Sequence, residues 1–315
     1  MANIAITGVA GFIGSHLAEK LISQNHQVIG IDNFDPFYSK SIKQRNLKNL
    51  ERKGDFQFFN IDVRTEDFTL ALSNTSIDLI IHLSARAGVR PSLLFPKSYI
   101  HHDIEATVNI LETCRRLDIN KMIFGSSSSV YGNIPELPYS EDIKIDTPIS
   151  PYAASKLSCE HFNHVYYSQY GIEITNLRFF TVYGPRQRPE MGIHKFTRLI
   201  DQGKIIQMYG DGSSSRDYTY IDDIIQGIIK SISHLNGYNT FNLGNNRPVK
   251  LIDLISIIGE KMNKPYKINQ IEMQPGDVDH TLADINLANT ELGYQPTTSI
   301  EEGIEKFVNW YKKMN

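Results

Sequence analysis

Residues 1–14, MANIAITGVAGFIG, decide how the rest of this chain is read. Apolar β-formers run straight into Gly8, Gly11 and Gly14, spaced three apart, and an amphipathic run follows over 15–21. That order predicts strand, tight turn and helix. Gly8 allows the tight turn, Gly11 lets backbone approach a pyrophosphate, and Gly14 lets the helix pack close to the sheet. First-turn amides of such a helix favour a phosphate. The next strand, Gln27–Ile31, ends at Asp32, where a carboxylate accepts bonds from an adenosine ribose and repels a 2′-phosphate. The pattern therefore points to NAD over NADP. No P-loop lysine follows the glycines, which excludes a kinase or ATPase reading.

Outward from this unit, strand and helix patterns alternate. Phe56–Phe59 reads as the third strand and is followed by Asp62, a plausible adenine-side contact. IDLIIHL (77–83) is near-continuously apolar, as a buried parallel strand should be. A small-residue turn (84–88), a long helix (99–117) and a strand (121–125) come next. Helix is also expected over 41–53. Five alternations predict an α/β fold with a doubly wound parallel sheet and right-handed crossovers. Ser150-Pro151 caps and starts a helix reaching about 170, and a sixth strand covers 172–180.

From Thr181 the texture changes to a loop rich in arginine and proline (181–189), then a helix (192–203), a strand (206–209) and a helix (222–233). A strand over 240–243 is read as returning to the main sheet. Patterns over 251–262, 266–270, 284–292 and 300–312 make a smaller C-terminal α/β unit. The expected division is a dinucleotide-binding domain over 1–180, rejoined by 217–248, and a substrate domain from 181–216 and 249–315.

The chain has 315 residues, 41% hydrophobic and 21% charged, with net charge −3. This leaves no electrostatic footprint for nucleic acid or an anionic membrane. The opening lacks the charged leader and cleavage site of a signal peptide, and no window reaches the length of a membrane span. A cytoplasmic protein without nucleic-acid or membrane partners is expected. Cys114 and Cys159 fall in predicted helices and read as buried thiols in a reducing compartment. His82, His101 and His102 show no tight ligand spacing, so no metal is expected.

Chemistry is signalled by Tyr152 and Lys156, which emerge one turn apart on one helix face. A tyrosine is a poor base at its free pKa of about 10, but a nearby ammonium and a cationic nicotinamide stabilise its phenolate. The serine run 126–129, pinned at a carboxyl strand end where ligands bind in such sheets, supplies a hydroxyl donor. Strand geometry and the offset to Tyr131 favour Ser127, with Ser128 its nearest rival. Tyr152 would move the proton, Ser127 orient the oxygen, and Lys156 set the charge and hold the nicotinamide ribose. A serine hydrolase would need a Gly-x-Ser-x-Gly elbow, which the chain lacks.

At this point the chain resembles the extended short-chain dehydrogenase/reductases, Rossmann-fold enzymes, and within them the nucleotide-sugar 4-epimerases, nearest to UDP-glucuronate 4-epimerases. The likeness is carried by GVAGFIG (8–14), AGVRPSL (87–93), SSSSVYG (126–132), SPYAASK (150–156), LRFFTVYGPRQRP (177–189), GDGSSSRDYTYIDD (210–223) and MQPGDV (273–278). It implies tightly held NAD, oxidation of a UDP-sugar at C4, rotation of the 4-keto sugar, and return of hydride to its other face. It implies cofactor contacts from Gly8, Gly11, Phe12, Ile13, Gly14, Asp32, Asn33, Asp62, Val63, Leu83, Ser84 and Lys156. It assigns Arg216 to the diphosphate, Gln207 and Tyr209 to the uridine, and Thr181 and Arg188 to a C6 carboxylate. Ser128, Arg90 and Asp279 join them as expected substrate contacts. Polysaccharide precursor supply and a homodimer through a four-helix contact are further implications. Asp103, where the family usually has asparagine, and Ser84, where it has alanine, depart from the pattern. A UDP-uronate decarboxylase shares the same centre; a dehydratase would usually carry Asp-Glu where Ser127-Ser128 stand. A non-catalytic NAD-binding regulator would be expected to lose Tyr152 or Lys156.

Overall fold

The computed structural model describes residues 1–51, 55–272 and 278–314. Residues 273–277 of the MQPGDV stretch, and 52–53 at the expected end of the second helix, lie outside them. The chain runs β1 (Asn3–Thr7), α1 (Phe12–Ser23), β2 (Gln27–Ile31), α2 (Lys40–Leu50), β3 (Phe56–Phe59), α3 (Glu66–Ser73) and β4 (Leu79–His82). Then come α4 (Val89–Leu94), α5 (Pro96–Tyr99), a π-helical turn (Ile100–Glu105) and α6 (Ala106–Arg116). β5 (Lys121–Ser127), a 3-10 turn (Ser128–Tyr131), α7 (Pro151–Tyr170) and β6 (Glu173–Phe179) follow.

These strands, with β10 (Tyr238–Leu243) at one edge, form a seven-stranded sheet in the order β10-β6-β5-β4-β1-β2-β3. β3, β2, β1, β4 and β5 pair in parallel. Strand order reverses direction between β1 and β4, the position where open α/β sheets bind ligands beyond their carboxyl ends. All four residues of β4 are buried, as its unbroken apolar run requires. Ala5, Ile29, Ile80, Met122 and Ile174 of the strands share one core with Ile110, Leu111, Cys114 and Cys159 of α6 and α7. Both cysteines are free thiols.

The chain forms two compact units. The first comprises Met1–Gly132, Lys144–Arg178 and Ile228–Phe241. The second comprises Asn133–Ile143, Phe179–Gly227 and Asn242–Asn315. In the second, β7 (Thr181–Tyr183), β9 (Ser215–Tyr220) and β11 (Pro248–Lys250) make one sheet, and β8 (Ile206–Tyr209) pairs with β12 (Ile268–Ile271) in another. α8 (Gly192–Asp201), α10 (Leu251–Met262) and α12 (Ile300–Met314) bury Ile200, Ile258 and Phe307. α9 (Ile221–Ser233) and α11 (Asn286–Leu292) complete the fold. Asp217 is fully buried and its carboxylate accepts the backbone N–H groups of Asn245, Asn246 and Ala283 at 2.6, 2.9 and 3.0 Å.

Three expectations need correction. The stretch 181–189, read wholly as loop, begins with β7, which pairs in parallel with β9. β9 opens on Ser215-Arg216-Asp217 before its better strand formers Tyr218-Thr219-Tyr220, and β11 is only Pro248-Val249-Lys250, so neither shows a clean alternation until their antiparallel pairing is known. The helix read over 99–117 contains the π turn, a widening that a 3.6-residue repeat does not register. β5 extends two residues past 125 to include Ser126 and Ser127.

Candidate active site

The glycine turn is built as its residues dictate. Gly8 sits at φ +72°, and a Cβ there would lie 2.9 Å from the Ser84 backbone, where the turns after β1 and β4 approach. A Cβ on Gly14 would collide with the Gly8 carbonyl and the Val9 Cα, so α1 sits this close only because Gly14 has none. This side-chain-free cradle at a helix N-terminus fits a pyrophosphate. Thr7 Oγ1 ties the two turns together, accepting the Leu83 and Ser84 N–H groups at 3.2 Å each and the Ser84 hydroxyl at 3.0 Å. The unusual Ser84 thus bonds within the protein. Phe12 is buried and Ile13 half-buried at the start of α1.

Asp32 lies just past β2, buried, accepting the Ala10 N–H at 3.2 Å and the Phe34 N–H at 2.8 Å. Burial pushes its carboxyl above the usual range, against the pull of the Lys43 ammonium 3.9 Å away and the two backbone donors. Asn33 donates to Asp62 at 3.0 Å, and Arg64 grips both Asp62 oxygens at 2.9 and 2.6 Å. Those Arg64 bonds hold the Asp62 carboxyl at about 2. Val63 is buried in the core, and its carbonyl accepts from Asn109 at 2.6 Å. Asp32, Asn33 and Asp62 are therefore brought to one edge. Lys43 and Arg64 were not singled out from the sequence. Arg64 had a local signal, two residues beyond Asp62, whereas Lys43 is one of several lysines on a charged helix.

The residues expected to handle the proton lie on α7 and at the end of β5. Ser150 caps α7 by accepting the Ala153 N–H at 3.1 Å, and Pro151 occupies its first turn. This aims Tyr152 and Lys156 from one face. Both are buried, at 8% and 4% exposure. Lys156 Nζ donates to the Gly125 carbonyl at 2.7 Å and lies 4.7 Å from the Phe124 ring centroid. Tyr152 meets Tyr99 edge-on, with centroids 5.9 Å apart. Ser127 closes β5 and caps the following turn: its Oγ accepts the Ser129 N–H at 3.1 Å and donates to Ser129 Oγ at 3.0 Å. Ser128 is half-buried in the turn itself. Asp103, in the π turn, is almost fully buried, accepting the Arg86 N–H at 2.9 Å and the Ser155 hydroxyl at 2.7 Å. Burial raises its carboxyl, against the pull of the Lys156 ammonium and the bond from Ser155, the residue before Lys156.

Between β2 and α2, Asp35 accepts from Arg86 at 2.9 and 3.1 Å, and His102 Nε2 approaches it to 3.1 Å. Burial would raise the Asp35 carboxyl, but the His102 and Arg86 bonds outweigh it and hold it well below the usual range. Arg90 is half-buried in α4. His82 lies between Thr7 Oγ1 at 2.8 Å and Thr107 Oγ1 at 3.1 Å, and burial, with Lys156 nearby, lowers it to about 3.

In the second unit Thr181 opens β7, paired opposite Tyr218. Arg188 Nε lies 3.1 Å from Glu190. Gln207 and Tyr209 share β8, and the Gln207 amide oxygen accepts from Asn269 at 2.7 Å. Arg216 and Asp279 are brought together: the guanidinium donates to the Ser215 and Asp279 carbonyls at 2.9 and 3.1 Å.

Comparison with known proteins matches this arrangement to a family. The family described as GDP-mannose 4,6 dehydratase matches residues 5–307. A UDP-glucuronate 4-epimerase of Thermodesulfobacterium geofontis is 40% identical over 316 residues, covering 99% of this chain and 97% of that one. An uncharacterised protein of Methanocaldococcus jannaschii is 44% identical over 312 residues, covering 98% and 96%. A crystal structure of UDP-glucuronic acid 4-epimerase from Bacillus cereus, in complex with UDP-glucuronic acid and NAD, superposes with a TM-score of 0.94 at 37% identity, covering 99% of this chain and all of that one. With the glycine cradle, Tyr152 and Lys156 in place, the chain belongs to the extended short-chain dehydrogenase/reductase-like nucleotide-sugar 4-epimerases and is closely related to the UDP-glucuronate 4-epimerases.

Proposed function

We propose that this chain is an NAD-dependent epimerase that inverts C4 of a UDP-hexuronate, interconverting UDP-glucuronate and UDP-galacturonate. The observation that carries this reading is that Lys156, on the face of α7 that also bears Tyr152, bonds to Gly125 of the strand that Ser127 ends, in a chain alike from end to end to UDP-glucuronate 4-epimerases. Bound NAD supplies the acceptor that takes hydride from C4 and the donor that returns it. Asp32, Asn33 and Asp62 would hold its adenosine end, and Gly8, Gly11 and Gly14 its pyrophosphate; Phe12, Ile13, Val63, Leu83 and Ser84 would line it. Tyr152 takes the C4 hydroxyl proton as the sugar is oxidised and gives it back after the 4-keto sugar has turned over. Lys156 keeps a positive charge beside that phenol, and Ser127 orients the C4 oxygen, with Ser128 beside it.

A C4-oxidised uronate is a β-keto acid prone to lose CO2, so its carboxylate must be held out of the orientation that favours cleavage. Thr181 and Arg188 are assigned to that task, Arg216 to the diphosphate, Gln207 and Tyr209 to the uridine, and Arg90 and Asp279 to further substrate contacts. Charge-assisted bonds from a guanidinium suit both acidic groups. The dehydratase chemistry in the family's description is disfavoured by Ser127-Ser128, where that chemistry usually needs Asp-Glu.

A homodimer through α6 and α7 is part of the same reading: Ile100, Phe162 and Val165 are exposed apolar side chains beside or on these helices. No described helix is long and apolar enough to cross a membrane, and two free buried thiols suit a reducing, cytoplasmic setting. The test is to incubate the purified protein, with no NAD added, with UDP-glucuronate, UDP-galactose and UDP-N-acetylglucosamine and follow products by NMR. UDP-galacturonate from UDP-glucuronate is expected. CO2 with a UDP-pentose, or turnover confined to a neutral sugar, would overturn the reading. In Thr181→Ala, CO2 release is expected to rise; weaker binding without CO2 would remove the assigned role.

A further inference from the structure

One buried charge pair stands outside the chemistry described so far. Arg178, in β6, and Glu160, on α7, leave only 8% and 5% of their side chains exposed. Arg178 Nε and Nη2 donate to the two Glu160 oxygens at 3.1 and 2.8 Å. Such a pair is often replaceable by apolar side chains without loss of stability, so stability alone is a weak reason for keeping it.

Its other contacts supply a reason. Ser126 donates its hydroxyl to Glu160 Oε1 at 2.5 Å, and Arg178 Nη1 donates to the Tyr131 hydroxyl at 2.9 Å. The Arg178 guanidinium also stacks over the Tyr131 ring, 5.0 Å from its centroid. Ser126 immediately precedes Ser127, and Tyr131 ends the 3-10 turn that Ser127 caps. Tyr152, Lys156 and Glu160 follow one another at four-residue steps along one face of α7. That face therefore meets consecutive residues at the end of β5: Lys156 holds the Gly125 carbonyl and Glu160 holds Ser126. Tyr238 anchors the same turn of α7 by donating to the Glu160 carbonyl at 2.8 Å.

We propose that Glu160 and Arg178 are positioning residues for the reaction, gripping the serine turn at Ser126 and Tyr131 so that Ser127 is held in register with Tyr152. The pair touches neither substrate nor cofactor; it acts through Ser127. This rests on the epimerase reading and on the role assigned there to Ser127.

The test is a double-mutant cycle on the full-length protein with its NAD, measuring kcat per mole of bound NAD, KM for UDP-glucuronate, and thermal midpoint. Glu160→Gln keeps shape and a Ser126 acceptor but removes the charge; Arg178→Lys keeps the charge but loses the fork and serves if the first variant folds poorly. Each is expected to lower kcat about 10- to 100-fold, as small misplacements of reacting groups do, with KM changed by less than about threefold. In a Ser127→Ala background the same substitutions are expected to cost almost nothing more, because a residue acting through Ser127 cannot be missed once Ser127 is gone. Equal fractional losses in both backgrounds, or parental kcat per bound NAD in Glu160→Gln, would overturn the proposal. Parental kcat in Ser127→Ala alone would instead overturn the role of Ser127, and this inference with it.

Discussion

In the proposed reaction Tyr152 has one task, moving the C4 proton, while Lys156 has a chemical task besides its bond to the Gly125 carbonyl. Tyr152→Phe keeps the ring packed on Tyr99 and removes only the proton-carrying oxygen. Turnover is expected to fall about 10²- to 10⁴-fold, the usual worth of a positioned acid–base group, while NAD content and KM stay near parental values in steady-state kinetics. Loss of NAD in that variant would show the phenol to be a binding group instead. Lys156 also satisfies the Gly125 carbonyl, so its removal disturbs structure and chemistry together. His82 makes a separate pH prediction. It is neutral in the fold, lowered to about 3, whereas an unfolded histidine titrates near 6.5. Below about 6.5 the unfolded state binds a proton that the native state refuses, so stability is full above that pH and falls as pH drops, by ~1.4 kcal/mol per unit. Denaturant unfolding between pH 6.5 and 5 is expected to show a shallower slope in His82→Gln than in the parent; an unchanged slope would contradict it.

Elements decide whether these residues meet. The turn from β1 into α1 works because Gly8 adopts a positive φ and leaves room for the Ser84 backbone. Gly8→Ala is expected to cost about 1–2 kcal/mol from the left-handed backbone, with further strain at Ser84, and to lower the NAD retained on purification, read from the ratio of absorbance at 260 and 280 nm. Unaltered NAD content and thermal midpoint would show that the turn tolerates a side chain. The glycine turn, the cap of α7 and the pairing of Tyr152 with Lys156 were legible because each is written within a few residues at a spacing set by local geometry. Glu160 and Arg178 were not: eighteen residues and a change from helix to strand separate them, and no local pattern joins them. β7, β9 and β11 were missed for a related cause: β7 and β11 are only three residues long and β9 opens on Ser-Arg-Asp, so each shows as a strand only once its partner is known. The π turn hides because its one-residue widening leaves the apolar pattern of α6 intact.

At the scale of the whole chain, the order of alternating strands and helices was enough to predict a doubly wound main sheet and the return to it of a strand over 240–243, which the structure places at the sheet's edge as β10. Less legible was that Asn133–Ile143, between the serine turn and α7, belongs to the second compact unit. Its bonds are to distant residues: Tyr139 N–H to the Leu282 carbonyl at 2.8 Å, and the Asn242 N–H to Glu141 at 2.6 Å. The central claim is that C4 is oxidised and re-reduced within one active site, with the same hydrogen leaving and returning. The most direct measurement uses UDP-glucuronate carrying deuterium at C4, incubated with the purified protein in ordinary water without added NAD, and follows the product by proton NMR. UDP-galacturonate that keeps its deuterium at C4 is expected; exchange of that deuterium for solvent hydrogen during inversion would contradict the claim.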